Sequence, residues 1–63
     1  MDFPPLAEMC KAVRKATHLS QIKMAELIET NQTEISFIEQ GFIPEDKDKI
    51  DRIKELYERY NND

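Results

Sequence analysis

The stretch LSQIKMAELIETNQTEISFIEQG, residues 19–41, decides the fold. Ser20 is a favoured N-cap, and Ile22, Met24, Ala25, Leu27 and Ile28 behind it supply a short helix over about residues 21–28. Lys23 stands where a glutamate would close a capping box, so that box is incomplete. The run breaks at Glu29-Thr30-Asn31. Asn31 is a second strong N-cap, and Glu34, three residues on, completes a capping box. Ile35 and Ile38 mark the inward face of a helix over 32–40, and Gly41 is the natural residue to end it. Ala25 is small where these two helices must cross closely, while Met24, Ile28, Ile35 and Ile38 fill the angle between them.

Upstream, Pro4-Pro5 can open a helix, because proline tolerates the first turn, where its missing N–H is not needed. Leu6, Met9, Cys10, Val13 and Ala16 recur at spacings of three and four, which predicts an amphipathic helix over 5–17. His18 follows as a capping-loop residue that can take the left-handed conformation. Downstream, Phe42-Ile43-Pro44 is a short apolar connection. Glu45, Asp46 and Asp48 then set negative charge at the positive end of a last helix, over 46–60. Its apolar face is Ile50, Ile53, Leu56, Tyr57 and Tyr60, with Asp51–Glu55 and Lys54–Glu58 among the i,i+4 neighbours of the charged face. Asn61-Asn62-Asp63 reads as a frayed tail. The expectation is all-α: one compact four-helix domain over 1–63, with no strand and no repeat.

Composition narrows the function. Sixty-three residues are close to the lower limit for a self-sufficient core, and 40% apolar with 35% charged residues suits a compact helical unit. No stretch approaches the roughly 18 apolar residues of a membrane span, and Met1–Pro5 lacks the pattern of a signal peptide, so no membrane role and a cytoplasmic location are expected. Cys10 is the only cysteine and lies on an apolar stripe, where a small buried thiol is its natural role. One cysteine and one histidine make no zinc site, and a single glycine makes no phosphate loop. No nucleophile accompanies His18. Neither enzymatic activity nor a cofactor nor a metal is expected.

Leu19-Ser20-Gln21, Ala25 and then Thr33-Glu34-Ile35-Ser36-Phe37-Ile38-Glu39-Gln40-Gly41 resemble the XRE-type, Cro/repressor-like helix-turn-helix family. The resemblance extends back through Val13-Arg14-Lys15-Ala16 and covers most of residues 10–56. It implies a small bacterial or phage transcriptional regulator that binds double-stranded DNA, with helix 32–40 entering the major groove. By this resemblance Gln32, Thr33, Ser36 and Phe37 face DNA, Gln32 being able to pair with adenine and Thr33 or Phe37 to touch a thymine methyl. Gln21 would meet a phosphate, with Lys23 and Gln40 as further backbone contacts. Arg14 and Glu39 match the family positions that form an ion pair between the first and third helices. A domain this small contacts one half-site, so a homodimer is expected. The end of helix 46–60 offers Tyr60 for it, while Leu56 and Tyr57 serve equally well as monomer core.

The surface departs from the family more than the scaffold does. Glu29 replaces the turn glycine, so the turn must bend otherwise or accept strain. Thr30 replaces an apolar plug. Phe37 stands where the family shows Arg, Lys or Gln, and helix 32–40 has no cation. The net charge of −4 is distributed as +1 over residues 1–19, −3 over 20–41 and −2 over 42–63. Cations normally supply most of the affinity for phosphates. A second function therefore stands beside DNA reading: a protein-interaction module on the same scaffold that modulates a partner regulator through its acidic surface and Phe37.

Overall fold

The computed structural model describes residues 3–61, so Asn62 and Asp63 of the expected frayed tail lie outside the described residues. Four α-helices follow in order: α1 (Leu6–Thr17), α2 (Gln21–Leu27), α3 (Gln32–Glu39) and α4 (Lys47–Tyr60). Among the described residues there is no strand, and the chain is all-α. No helix among the described residues is long and apolar enough to cross a membrane.

Each helix begins and ends about where its cap chemistry dictates. Ser20 accepts the Lys23 N–H at 3.1 Å, Asn31 accepts the Glu34 N–H at 2.8 Å, and Asp46 accepts the Asp48 N–H at 2.9 Å. Pro5 is the residue before α1 rather than its first, with ψ at 149° and its carbonyl accepting the Met9 N–H. Ile28, Gln40 and Asp46 likewise sit just outside the helices expected to include them.

One expected motif forms only in half. The Glu34 carboxylate does not return to the Asn31 N–H; it accepts the Thr30 hydroxyl and the Lys49 ammonium of α4, the latter at 2.8 Å. Both bonds fall on Glu34 Oε1, so the side chain is held toward Thr30 and α4 instead of folding back onto Asn31.

α1, α2 and α3 each hand over to the next element through a left-handed residue: His18 at φ 60°, Glu29 at φ 59° and Gly41 at φ 113°. At Glu29 the Thr30 N–H donates to the Ala25 carbonyl at 2.8 Å and the Glu29 N–H to the Glu26 carbonyl at 3.3 Å. At Gly41 the Phe42 N–H donates to the Phe37 carbonyl at 2.9 Å and the Gly41 N–H to the Ile38 carbonyl at 3.0 Å. Both are Schellman closures. The helix-turn-helix turn thus keeps the geometry that a glycine gives, with a glutamate carrying the strain.

The core is Leu6, Met9, Cys10 and Val13 of α1, Met24, Ala25 and Ile28 around α2, Ile35 and Ile38 of α3, and Ile53 of α4. Ile50, Leu56 and Tyr57 pack against it. α1 lies against both α3 and α4, and α2 against α3. Ala16, expected on the inner stripe, is exposed. Ile22 and Leu27 of α2 are also exposed, since α2 rests mainly on one neighbour and only Met24, Ala25 and its cap Ile28 face inward. The α4 neighbours Lys54 and Glu58 form no ion pair. Lys54 instead lies over the Phe3 ring at 5.3 Å, and that ring meets Tyr57 edge-on.

Candidate functional site

Glu39, in the last turn of α3, organises the outer face of the helix-turn-helix. Its carboxylate takes both oxygens to Arg14 Nη1 at 2.8 Å, with the side chains 10% and 30% exposed respectively. This is the ion pair expected between α1 and α3. Arg14 Nε also donates to the Leu19 carbonyl at 3.2 Å, tying the α1–α2 loop to the same pair. Burial pushes the Glu39 carboxyl up, but the bonds from Arg14 and Gln21 outweigh it and hold the group below the usual glutamate range.

Gln21 and Gln32 extend this pair to the surface. Gln21 Nε2 donates to Glu39 Oε1 at 3.1 Å, and Gln32 Nε2 donates to Gln21 Oε1 at 3.4 Å. The side chain of Gln21 is therefore engaged with Glu39 on one side and with Gln32 on the other. Gln32, at the first position of α3, is exposed beside the equally exposed Thr33. Its Oε1 and second N–H are free of these contacts, so a bare acceptor–donor pair stands at the tip of the helix.

Farther along α3 the face changes character. Ser36 is half-buried and accepts from Gln40 Nε2 at 3.1 Å, so these two candidates hydrogen-bond to each other. Phe37 is 53% exposed and meets Phe42 edge-on, with ring centroids 6.4 Å apart. Phe37 and Phe42 are the two positions that a Schellman closure at Gly41 brings together, which gives the aromatic at 37 a structural partner. Lys23 is exposed and 3.5 Å from Glu26.

The acidic charge of residues 20–41 is locally compensated. Its four glutamates each meet a cation: Glu26 with Lys23, Glu29 with Arg52 at 2.7 Å, Glu34 with Lys49 at 2.8 Å, and Glu39 with Arg14. The Lys49 bond and then the Thr30 hydroxyl draw the Glu34 carboxyl below the usual range, and Glu34 in turn raises Lys49. Among the described residues, acid without an ion pair gathers instead on α4, where Asp48, Asp51 and Glu55 line a shallow depression with Arg52. The charge objection raised by the sequence thus applies to the α4 face more than to α3.

Cys10 is fully buried, and its thiol donates to Glu39 at 3.5 Å. Burial, reinforced by the Glu39 charge, pushes it up to about 12, so it is held as a protonated thiol. No three metal-ligating side chains converge among the described residues. Leu56 and Tyr57, open between core and dimer contact, pack on the core, whereas Tyr60 is 46% exposed.

Sequence reading found Arg14–Glu39 but missed the Gln21–Gln32 contact and the pairing of Glu29 and Glu34 with α4. The aromatic pair left a signal: Phe37 and Phe42 flank Gly41 at the spacing a Schellman closure requires. No family model, no curated protein and no solved structure matches the chain.

Proposed function

We propose that the chain is a sequence-specific DNA-binding regulator whose recognition element is α3, with Gln32 the principal base-reading residue. The observation that carries this reading is the Glu39–Gln21–Gln32 hydrogen-bond chain. It links an exposed amide to a half-buried ion pair and leaves that amide one acceptor and one donor. Adenine presents the complementary donor and acceptor, N6–H and N7, in the major groove. Thr33 beside it supplies a methyl group for apolar contact with thymine. Compensation of all four glutamates of residues 20–41 removes much of the repulsion that their bare charge would bring to phosphates.

A second reading is favoured by a separate observation. Phe37, Phe42 and Ile43 are 53%, 47% and 58% exposed, and α3 carries no cation, which together suit a protein-binding module. The two readings use opposite ends of α3. Passing a random duplex pool over the immobilised chain, and sequencing the retained DNA over successive rounds, distinguishes them. DNA reading predicts a common short motif that Gln32→Ala fails to enrich. A pool no more enriched than on blank resin at low salt overturns it.

A further inference from the structure

The three side chains that the resemblance assigns to the DNA backbone are occupied within the fold. Gln21 bonds to Glu39 and Gln32, Gln40 donates to Ser36, and the charge of Lys23 stands against Glu26. Arg14, Lys49 and Arg52 are paired with Glu39, Glu34 and Glu29, and Lys54 lies over the Phe3 ring. With these pairs set aside, α4 keeps Lys47, Lys54 and Arg59 among Asp48, Asp51, Glu55 and Glu58. Its balance is acidic.

α1 is the exception. Lys11 and Lys15 are exposed and form no ion pair among the described residues, and Glu8 is the one acid of that helix. Standing four residues apart, they share a face turned away from the buried Leu6, Met9, Cys10 and Val13. The same face adjoins the reading end of the molecule. Lys11, three residues before Arg14, is its neighbour on the helix surface, and Lys15 follows Arg14 directly. Arg14 is tied to Glu39 and to the Leu19 carbonyl, and Gln21 meets that same Glu39 before reaching Gln32.

Resting on the DNA reading above, we infer that Lys11 and Lys15 hold the phosphate backbone beside the groove that α3 enters. They supply the cations that α3 lacks, and they act on any duplex, because phosphates carry no sequence information. Each lysine that neutralises a phosphate adds about 0.9 to the slope of log affinity against log salt. Discrimination between sequences stays with Gln32.

Fluorescence anisotropy of the full chain on its enriched duplex and on a random duplex, from about 50 to about 300 mM salt, tests this. A double variant, Lys11→Gln with Lys15→Gln, should bind both duplexes about tenfold more weakly and lower the salt slope by about one to two. Lys11→Arg with Lys15→Arg should restore the wild-type slope. Lys47→Gln with Arg59→Gln makes the same change of net charge on α4 and should leave both affinities within about twofold. Circular dichroism verifies that the helices persist in each variant.

Wild-type affinity and slope in the α1 glutamine variant overturn the inference. So does an equal loss in the α4 variant, or a loss confined to the enriched duplex. If the enriched duplex is still preferred in that event, the proposed function stands without this face. Weakening on both duplexes by the α1 change, in a chain that prefers neither, keeps this face and removes base reading by Gln32. A chain that binds neither duplex at the lowest salt overturns both.

Discussion

Gln32 donates through its side-chain amide to the side-chain oxygen of Gln21, 3.4 Å away, joining the first residues of α2 and α3. The contact is long for a hydrogen bond and exposed, so its contribution to stability is small. Its consequence is orientational. With one N–H directed to Gln21, Gln32 keeps a defined acceptor–donor pair outward, and Glu39 fixes Gln21 in turn.

Gln21→Ala should therefore separate orientation from folding. Stability should fall by about 1.5 kcal/mol, because one side-chain hydrogen bond to an ionised carboxylate is lost at a half-buried site. Affinity for an enriched duplex should fall about fivefold, as Gln32 loses the neighbour that limits its rotamers. Chemical denaturation and fluorescence anisotropy of the same variant measure the two effects.

The Arg14–Glu39 pair is half-buried, with Glu39 the more enclosed partner. Arg14→Ala leaves that carboxylate with only Gln21 and Cys10 as donors, at an expected cost of about 2 kcal/mol, between the exposed and fully buried limits. Glu39→Gln should cost less, since it removes the enclosed charge along with its partner's target. A double-mutant cycle by urea denaturation should give a favourable coupling between the two sites of about 1 kcal/mol or more.

Acid and alkali should destabilise the fold for different reasons. Glu34 and Glu39 titrate below the ordinary glutamate value when folded. Their contribution is complete above the unfolded value of about 4.3 and is lost as pH falls through the lower folded values. Cys10 behaves oppositely: folding raises it to about 12, so the unfolded chain releases its proton first and stability falls above pH about 9. Thermal melts from acid to alkaline pH should show both limbs, and Cys10→Ala should flatten the alkaline one.

Glu29 holds a left-handed conformation at φ 59°, where an L side chain costs about 1 kcal/mol relative to glycine. Its exposed ion pair with Arg52 offsets less than about 0.5 kcal/mol of that. Glu29→Gly should stabilise the chain and raise the melting temperature by a few degrees, about 4 °C for a domain of this size. Arg52→Ala should change it little. A fall in melting temperature for Glu29→Gly would mean that the Arg52 pair contributes more than exposed pairs do.

The scaffold was legible because its determinants are local. Ser20 and Asn31 cap helices wherever such residues precede an apolar period, and Ile35 and Ile38 have no alternative to facing inward. Glu34 was misread because the competitor for its carboxylate, Lys49, is fifteen residues away and on another helix. The same distance in sequence concealed Glu29–Arg52. Charge summed along the chain therefore overstated the acidity of the helix-turn-helix, since two of its compensating cations come from α4. Tyr57 could not be assigned to core or interface from periodicity, because a half-buried ring satisfies both patterns.

The central claim is that Gln32 reads a base. It is tested most directly by anisotropy titration of the wild-type chain and Gln32→Ala against the duplex the chain itself enriches, with a scrambled duplex alongside. The account predicts specific binding by the wild type and a loss of about tenfold or more in Gln32→Ala on the enriched duplex, with little change on the scrambled one. Equal affinity of the two proteins for the enriched duplex, or equal affinity of the wild type for both duplexes, would contradict it.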